Sequence, residues 1–530
     1  MESGGSSARR VERLAAQVGA TAGDRPQLAA APAAAAMPHV DPRKMAALLN
    51  GPNPVYRNEL FEYVRKDPVF RYNYNMTKES LRIVTRTRLL NLVKAGFVTV
   101  RGRDEDDDRF EQYGEAISYI DNSVSTLIGA QFVLFSGSIL HLGTAYHHAK
   151  FLERAARMEL RGCFAMTELG HGSNVRGIET TATYDPVRDE FDIHTPTESA
   201  QKFWIGGGAE SAQMATVFAQ LYVKGVHYGV HAFLVPLRDE HTHRILPGVR
   251  IKDCGHKMGL NGIDNGRFWF DHVRIPREHL LNRFGNVTRD GEYESPIPDN
   301  DMRFAASLGN LVSGRVGIVA GSTNSAKVGL ATAILYAHQR RQFGPPGQPE
   351  TPIMDYQTHQ FRLMPLLATT YAHALVARPV RQRFAAAQRA GDIEAVKEAH
   401  VIISGLKAVS SWHSSDTLQA CREACGGMGF KSSARIGILK ADSDISSTYE
   451  GDNFVLLQQL SRDLVRRSYP RLAQLRGDQE LRTRADAAFL RDADAQLRLF
   501  ELREADLVTR LAGHIKAGKA KGACRLGGRR

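Results

Sequence analysis

The pattern of apolar residues along this chain changes period twice, which limits the folds open to it. Residues 50–160 show a mostly helical pattern, and residues 180–275 change to the two-residue period of β-strands. The alternation is clearest from Thr216 to Val223, where β-branched and aromatic residues are frequent. Beyond Ser307 the period becomes helical again. This order predicts an α+β fold in which a small β domain lies between two helical domains.

The same changes of period divide the chain into five segments. Residues 1–36 are rich in Ala, Gly, Ser and Arg, which predicts a flexible N-terminal extension. After it we expect a helical N-terminal domain, a central β-barrel or β-sandwich domain, a C-terminal helical bundle and a shortened second C-terminal helical region. Their predicted bounds are 37–160, 161–290, 300–470 and 471–530.

Two long helices are predicted in the C-terminal bundle, each from a row of residues at helical spacing that marks one face. The first row is Val316, Val319, Thr323, Leu330, Ile334 and Ala337. The second row is Ile353, Tyr356, Gln360, Met364, Leu367, Tyr371 and Ala374.

Length and charge narrow the class of protein. With 530 residues the chain exceeds the usual single domain, and its 43% hydrophobic and 24% charged residues are typical of a soluble globular protein. The formal net charge of +12 allows an anionic partner, either nucleic acid or the phosphates of a coenzyme A thioester. Because basic residues are spread along the chain without a nucleic-acid motif, we expect no nucleic acid. The acidic run from Asp104 to Asp108 predicts a solvated loop.

The cysteines and the longest apolar stretch indicate a reducing compartment and no membrane span. The five cysteines are an odd number without a paired framework. Cys421 and Cys425 are spaced for one face of a helix, which favours core packing over metal binding. The stretch Leu127–Leu142 is short and interrupted by polar residues, as in a buried helix. His147 and His148 lack a set of partner ligands, so no metal is expected.

A carboxylate in a glycine-containing turn is the first candidate for chemistry. Glu450 lies in Ser447-Thr448-Tyr449-Glu450-Gly451-Asp452-Asn453, close to the start of a helix. Burial can raise the pKa of a carboxyl group, and a turn can aim it into a cavity, as a general base requires. Because most Glu-Gly pairs are ordinary turns, this spacing alone does not identify a base.

Two further segments complete the pattern. Residues 162–174 read Gly-Cys-Phe-Ala-Met-Thr-Glu-Leu-Gly-His-Gly-Ser-Asn, a loop that suits close backbone approach by a ligand. Its glycines are too widely spaced for the dinucleotide fingerprint, so a Rossmann fold is not indicated. Residues 201–207 read Gln-Lys-Phe-Trp-Ile-Gly-Gly. Together with the Glu450 turn, these segments resemble the acyl-CoA oxidase branch of the acyl-CoA dehydrogenase superfamily of flavoenzymes.

The resemblance runs from about residue 40 to about residue 468 and is nearest to the plant-type peroxisomal medium-chain oxidases, most clearly at 162–180 and 253–262. It implies the acyl-CoA dehydrogenase/oxidase fold with bound FAD. It also implies oxidation of acyl-CoA to trans-2-enoyl-CoA, with electrons passing to O₂ to give H₂O₂. That reaction is the first step of peroxisomal fatty acid β-oxidation.

The resemblance assigns roles to three residues around the flavin ring. Glu450 matches the catalytic base, and its backbone amide would help to hold the thioester oxygen. Thr167 matches a contact to the pyrimidine edge of the flavin, and Gly206 would offer its amide near flavin N5.

A second set of residues is implied to reach FAD across a subunit boundary. Arg340 suits a diphosphate because its planar guanidinium can bind two oxygens. Gln357 fits a polar contact, and Gly426 and Gly427 would let the backbone approach the diphosphate. The resemblance therefore implies a homodimer with a shared FAD site. Without it, a surface ion pair is the competing interpretation of Arg340.

Two other functions stay open. An acyl-CoA dehydrogenase would share the fold, flavin and base but pass its electrons to a protein acceptor. Dehydrogenases of the superfamily carry Thr where this chain has Asp452 and Thr-Asn-Gly where it has Gly206-Gly207-Gly208, which favours an oxidase. A catalytically silent acyl-CoA-binding protein is the third reading. The presence of the base and both flavin-ring contacts argues against it.

The two terminal segments differ in how far they resemble known signals for import into the peroxisome. Residues 10–18, from Arg10 to Val18, resemble an amino-terminal peroxisomal targeting signal, and a short amphipathic helix without a targeting role is the alternative. About sixty residues follow Ser468, fewer than the long second helical domain of typical family oxidases, and the last three are not a peroxisomal tripeptide. The expected location is the peroxisome.

Overall fold

A computed structural model of the chain describes residues 41–50, 54–102, 106–307, 309–467 and 492–520. The chain divides into two units, Met1–Pro52 and Asn53–Arg530. In the first unit the structure describes one helix, α1 (Pro42–Asn50). The predicted extension 1–36 lies outside the described residues, as does 471–491 of the predicted second C-terminal region. The five domain bounds stay predictions.

The second unit begins with a group of helices. They are α2 (Val55–Lys66), α3 (Lys78–Lys94), α4 (Asp107–Ile120), α5 (Asn122–Leu142) and α6 (residues 145–156). The Thr77 side chain caps α3 by accepting a hydrogen bond from the Ser80 N–H. Helices α2 to α5 share one apolar core, which contains Leu60, Leu89, Leu92, Tyr113, Ile117, Val124 and Leu127.

The described end of the acidic run, Asp106 to Asp108, is not the solvated loop that the sequence predicted for residues 104–108. Asp107 and Asp108 form the first turn of α4, and Asp106 caps it by accepting from the Arg109 N–H at 2.9 Å. Carboxylates stabilise a helix N-terminus because they face its unpaired N–H groups and positive dipole end. Residues 103–105 lie outside the described residues.

Helix α5 is the one described helix that is long and apolar enough to cross a membrane, with a mean hydropathy of 1.6. It contains a π-helical segment, Gly129–Phe135. Of its most apolar window 61% is buried, and Phe135 and Ile139 are fully covered. These apolar residues belong to the protein core, as the sequence predicted for Leu127–Leu142.

Strands occupy the middle of the chain. They are β1 (Gly162–Ala165), β2 (Thr181–Asp185), β3 (Glu190–His194), β4 (Lys202–Gly206), β5 (Met214–Val223), β6 (Val226–Pro236), β7 (Val249–Asp253), β8 (Asn265–Phe270), β9 (Val273–Pro276), β10 (Asn286–Val287) and β11 (Tyr293–Glu294). One sheet has the order β1-β5-β2-β3-β9, with β6 also paired to β5. A second, antiparallel sheet has the order β4-β8-β7, and β10 and β11 form a hairpin.

The two larger sheets pack around a common core, so the central region is a β-sandwich. Phe191 and Val217 of the first sheet share this core with Phe268 of the second. Both faces of strand β5 are covered at Phe218, which is buried on the face opposite Val217. Phe218 packs in a separate core with Phe135 of α5, so a helix covers this second face.

The last part of the described chain is helical again. The helices are α7 (Asn300–Ser307), α8 (Gly309–Gln339), α9 (Gln357–Ala390), α10 (Ile393–Ala424), α11 (Ile436–Asp444), α12 (Asn453–Arg467) and α13 (Ala493–Ala520). Their main core contains Leu330, Ala333, Ala337, Leu363, Leu418, Cys421, Cys425, Ile436 and Leu439. The core packing predicted for the two cysteines is therefore confirmed.

The two predicted helix faces differ in how deeply the structure buries them. On α8, Val319, Thr323, Leu330 and Ala337 of the predicted row are buried. On α9 the predicted row is only half-buried: Leu367 packs at the edge of the core, Met364 is 36% exposed, and the fully covered residues are Leu363 and Thr370. Ile353 precedes the helix in a 3₁₀ turn, Ile353–Asp355. Leu363 joins the core shared by α8 and α10, and that contact sets the rotation of α9.

Candidate active site

Glu450 lies in a tight turn between the 3₁₀ turn Ile445–Ser447 and helix α12. Its φ is 56°, in the left-handed region that few non-glycine residues adopt, and Gly451 follows with φ 100°. Asp452 then caps α12 by accepting from the Phe454 N–H at 3.0 Å. A backbone conformation that costs free energy persists only where its surroundings hold it, and such residues often lie at functional sites.

Two cations hold the backbone of this turn. Arg315 Nε on α8 donates to the Glu450 carbonyl oxygen at 2.9 Å. Lys407 Nζ on α10 donates to the Gly451 carbonyl oxygen at 2.7 Å. His400 lies 3.2 Å from the Arg315 guanidinium, and burial followed by the charge of Arg315 lowers the pKa of His400 to about 4. The turn is thus fixed by two helices distant in the sequence.

The Glu450 carboxyl group lies directly against Gly314 of α8. A Cβ atom at Gly314 would stand 2.8 Å from Glu450 Cδ and Oε2, so a side chain there would collide with the carboxyl group. Glu450 Oε2 is buried without a hydrogen-bond partner. Burial raises the pKa of Glu450 to about 7, against the lowering effect of the Arg315 and Lys407 charges. A buried carboxyl group with one free oxygen and a pKa near neutrality has the properties of a general base.

Thr167 connects the loop after β1 to strand β4. Its hydroxyl donates to the Phe203 carbonyl oxygen at 2.7 Å, and the Phe203 N–H donates to the Thr167 carbonyl oxygen at 3.0 Å. Strand β4 continues from Phe203 to Gly206, so these bonds join the two predicted flavin-contact segments. The structure therefore places Thr167 and Gly206 on linked elements.

A buried ion pair also joins the loop after β1 to strand β4. Lys202 Nζ donates to Glu168 Oε1 at 3.0 Å, and both side chains are completely buried. Lys202 also donates to the Met166 and Phe218 carbonyl oxygens. Burial acts to raise the pKa of Glu168, but the charge of Lys202 and hydrogen bonds from Thr180 and the backbone hold it below its usual value. The pair secures the residues on both sides of Thr167.

Gly206 packs against helix α5 and the loop before β8. A Cβ atom at Gly206 would lie 3.4 Å from Ile263 and 3.8 Å from Ala130, which is ordinary contact. Two residues earlier, Trp204 has φ 65° and is 58% exposed. The Trp204 carbonyl oxygen accepts from Asn265 Nδ2 at 3.1 Å.

Helix α5 brings the Glu450 turn and strand β4 together. Its Thr126 side chain lies next to that of Tyr449, the residue before Glu450. One turn further, Ala130 lies against Gly206, as described above. The β7–β8 loop makes a second connection, because the Leu260 N–H donates to Asp442 Oδ1 of α11 at 2.7 Å. Burial raises the pKa of this Asp442 to about 6. Both contacts place the candidate base and the candidate flavin strand at one site.

The second predicted set lies at the far end of α8. Arg340 follows the last residue of α8, and Ile353, just before α9, donates its N–H to the Arg340 carbonyl oxygen at 2.8 Å. Among the described residues no carboxylate pairs with the Arg340 guanidinium, in contrast to the surface ion pair that was the competing interpretation. Gln357 is the exposed first residue of α9.

Gly426 and Gly427 belong to the same end of the bundle. Both are exposed in the 3₁₀ turn Gly426–Phe430 after α10, and a Cβ atom at either would meet open space. The preceding Cys425 and Arg340 both lie within electrostatic range of Tyr336, at the same end of the helical bundle. The residues around this surface include three exposed aromatic side chains, Phe343, Phe361 and Phe430.

The two sets of predicted residues are far apart within one chain. Gly314, against the Glu450 carboxyl group, and Arg340 are 26 positions apart (340 minus 314) along α8. At 1.5 Å per residue this is about 39 Å. One dinucleotide does not span that distance, so the structure brings Glu450, Thr167 and Gly206 together but leaves the Arg340 set elsewhere.

One group of described side chains has the composition of a metal site, although the sequence predicted none. His194, Asp271 and His272 have potential ligand atoms within 4.8 Å of one another. The two imidazole rings stack, with centroids 4.1 Å apart and planes at 12°. Parallel stacked rings direct their nitrogen lone pairs along parallel lines and not to a common point. The prediction of no metal stays a prediction.

Sequence reasoning missed several residues of the site. Gly314, Arg315 and Lys407 lie inside long helices without a local motif, so no spacing marks them. The Glu168–Lys202 pair could have been found from the sequence. One of the two predicted flavin-contact segments contains the acidic Glu168, and the other contains the basic Lys202.

Two domain families match the chain. Residues 308–465 match the acyl-CoA oxidase C-alpha1 domain, and residues 163–273 match the acyl-CoA dehydrogenase middle domain. The first match contains Glu450 and all of the second predicted set, and the other contains Thr167 and Gly206.

The chain is similar over most of its length to plant proteins. It is 43% identical over 435 residues to acyl-coenzyme A oxidase 2, peroxisomal, of Arabidopsis thaliana, covering 81% of this chain and 63% of that protein. It is 41% identical over 513 residues to acyl-coenzyme A oxidase 3, peroxisomal, of the same organism, covering 92% and 75%. The chain thus spans between three-fifths and three-quarters of the length of these relatives.

Solved structures show the same fold. The acyl-CoA oxidase 1 of Yarrowia lipolytica superposes with a TM-score of 0.83 at 31% identity, covering 92% of this chain and 74% of that one. The acyl-CoA oxidase 1 of Caenorhabditis elegans, complexed with FAD and ATP, superposes with a TM-score of 0.79 at 28% identity, covering 91% and 73%.

Proposed function

Because this chain belongs to the acyl-CoA oxidase family, we propose that it oxidises acyl-CoA to trans-2-enoyl-CoA with FAD and passes the electrons to O₂ to give H₂O₂. The observation that carries the proposal is the Glu450 carboxyl group, which is held in a left-handed turn with one buried oxygen free of hydrogen bonds. A base that removes the α proton of a thioester needs such a free oxygen and a pKa near neutrality.

The residues present fit FAD in two places. Thr167 and Gly206 would hold the flavin ring beside the Glu450 turn. The exposed glycine turn and Arg340, which pairs with no carboxylate among the described residues, would hold a diphosphate, since backbone N–H groups and a guanidinium both suit phosphate oxygens. When bound, FAD would accept the hydride from the β carbon and deliver the electrons to oxygen.

The Glu450 residue would serve the reaction twice. Its carboxylate would take the α proton of the substrate. Its backbone N–H, which has no acceptor in the part of the chain that the structure describes, would donate to the thioester oxygen and stabilise the charge that develops there. Gly314 leaves the space that the carboxyl group occupies.

The active unit would be a homodimer. The Arg340 set lies about 39 Å from Gly314 within one chain, so a second copy is needed to complete a site that contains both. The exposed Phe343, Phe361 and Phe430 beside Arg340 supply an apolar surface of the kind that subunit interfaces cover. A shared FAD would then couple cofactor binding to association.

Location in the peroxisome is part of the proposal. The two Arabidopsis relatives are named as peroxisomal, which supports the compartment. The candidate signal at Arg10 to Val18 lies outside the described residues. An acyl-CoA dehydrogenase remains the alternative activity, and the relatives named above are all oxidases.

The decisive experiment is aerobic H₂O₂ formation from short-, medium- and long-chain acyl-CoA without an added electron acceptor. The variant Glu450→Gln keeps the size of the side chain but removes the base, so we expect flavin to stay bound while turnover falls by about 10²–10⁴. Turnover only with an added acceptor would identify a dehydrogenase. Normal turnover by Glu450→Gln at full flavin content would remove Glu450 from the mechanism.

A further inference from the structure

A buried lysine lies under the Glu450 turn without a role in the reaction as proposed. Lys407 on α10 is completely covered, although lysine is seldom buried without a purpose or a partner. Its Nζ donates to the Gly451 carbonyl oxygen at 2.7 Å and to Asn453 Oδ1 at 2.9 Å. Both acceptors are neutral, and among the described residues no carboxylate lies within ion-pair distance of this ammonium group.

A closed set of hydrogen bonds fixes the ammonium group in place. Asn453, which is 1% exposed, donates from Nδ2 to Ser411 Oγ at 2.9 Å. Ser411 Oγ in turn donates to the Lys407 carbonyl oxygen at 2.8 Å. Lys407, Asn453 and Ser411 therefore tie α10 to the start of α12, directly after the turn.

The charges around Lys407 come from three elements. Arg315 on α8 repels it, and burial together with this repulsion lowers the pKa of Lys407 to about 8. Glu450 and Asp452, in the turn and at the cap of α12, attract it. His400 on α10 contacts Arg315, as described above. Below pH 8 the ammonium form therefore places a positive charge beneath the Glu450 turn.

We infer that Lys407 is a positioning residue for Glu450: its ammonium group holds the Gly451 carbonyl oxygen, fixes the left-handed turn, and supplies a charge that favours the carboxylate form of Glu450. This inference rests on the proposed role of Glu450. It assigns Lys407 a double function, one part geometric and one part electrostatic.

The test separates the two parts with matched variants. Lys407→Met removes the charge and the hydrogen bonds at similar side-chain length. Asn453→Ala loosens the same hydrogen-bonded set but keeps the charge. Lys440→Met is the control, because Lys440 lies on α11 and donates to Gln419 at 2.6 Å, away from the turn.

The first measurement does not depend on activity. Infrared titration of the protonated carboxyl band, with Glu450→Gln as the reference that identifies it, gives the protonation midpoint of Glu450 in flavin-free protein. We expect Lys407→Met to raise this midpoint by about one pH unit. We expect Asn453→Ala and Lys440→Met to leave it within a few tenths of a unit.

The second measurement is the pH dependence of acyl-CoA turnover. In Lys407→Met the acid limb of the pH–rate profile should move to higher pH by the same interval. Its turnover rate at pH 7 should be about ten- to a hundred-fold lower than that of the parent. A shifted midpoint in protein that does not oxidise acyl-CoA would support the inference and reject the proposed function. An unshifted midpoint in Lys407→Met, or a shift equal to that of Asn453→Ala, would overturn the inference.

Discussion

At the scale of single residues, the site depends on a carboxyl group held where it is energetically disfavoured. Glu450 adopts a left-handed backbone conformation, and one of its oxygens is buried without a partner. Both features cost stability and are retained only where the surrounding structure imposes them. Their combination in one residue distinguishes Glu450 from an ordinary Glu-Gly turn.

The raised pKa of Glu450 predicts a pH-dependent cost to stability. Its pKa rises from 4.5 to about 7 in the folded chain, so folding favours the protonated form. The stability from this group is complete below pH 4.5 and is lost as pH rises through about 7. Glu450→Gln, which cannot ionise, should therefore have a free energy of unfolding roughly 1–3 kcal/mol higher than the parent at pH 8 and equal to it at pH 4, as measured by chemical denaturation. An equal gain at both pH values would contradict the buried charge as its cause.

Gly314 sets the space for this carboxyl group. A methyl group at this position would stand 2.8 Å from Glu450 Cδ, so Gly314→Ala must displace the carboxyl group. We expect turnover to fall about a hundred-fold, because a displacement of about 1 Å at a reacting group has that effect, while flavin content is retained. Gly317→Ala is the control on the same helix, since a Cβ there meets open space. Equal activity of the two variants would show that the carboxyl group does not work from its observed position.

At the scale of secondary structure elements, the loop after β1 and strand β4 act as one unit. The Glu168–Lys202 pair and the two hydrogen bonds between Thr167 and Phe203 join them side by side. Thr167 and Gly206 therefore keep a fixed separation even though they come from different parts of the chain. A rigid pair of elements is what a preorganised cofactor site requires.

Removal of the buried ammonium group should break this unit. Lys202→Met leaves the buried Glu168 carboxylate without its ammonium partner, so we expect a loss of about 3–5 kcal/mol in the free energy of unfolding and reduced flavin content. The control is Lys224→Met, whose ion pair with Glu292 is exposed and should contribute less than about 1 kcal/mol. Chemical denaturation and the flavin absorbance spectrum give both values. A small loss, similar to that of Lys224→Met, would mean that the buried pair does not hold the two elements together.

At the scale of the whole molecule, the separation of the two predicted residue sets is the main result. Helix α8 carries Gly314 near one end and is followed by Arg340 at the other. A second copy that presents its Arg340 end to the Glu450 end of the first would complete the site. Such an arrangement would make flavin binding and subunit association interdependent.

Arg340→Ala tests this dependence. If the guanidinium holds the diphosphate across a subunit boundary, the variant should lose about 2–5 kcal/mol of flavin-binding free energy and dissociate more readily. Arg341→Ala is the neighbouring control, since Arg341 donates to the Glu350 carbonyl oxygen at the surface. Flavin retention and sedimentation velocity measure the two effects. A monomer of Arg340→Ala that keeps all of its flavin would contradict the shared site.

The sequence by itself determined the order of helices, strands and helices, a central β domain, and the segments that contain Glu450, Thr167 and Gly206. These features are local, since a hydrophobic period or a short motif specifies each within a few residues. The α9 row and the acidic run show the limit of local reasoning. The rotation of α9 is set by the helices packed against it. Asp106 caps a helix whose start the sequence did not predict.

Only the tertiary structure decided what surrounds the Glu450 carboxyl group. Arg315 is 135 residues and Lys407 is 44 residues from the carbonyl oxygens that they hold. Gly314 is remote in sequence as well, and Thr126 reaches Tyr449 from a different helical group. No period or motif encodes such contacts, because they arise from the packing of long helices against one another. The same packing buries the carboxyl group and so sets its pKa, which is a property of the folded chain alone.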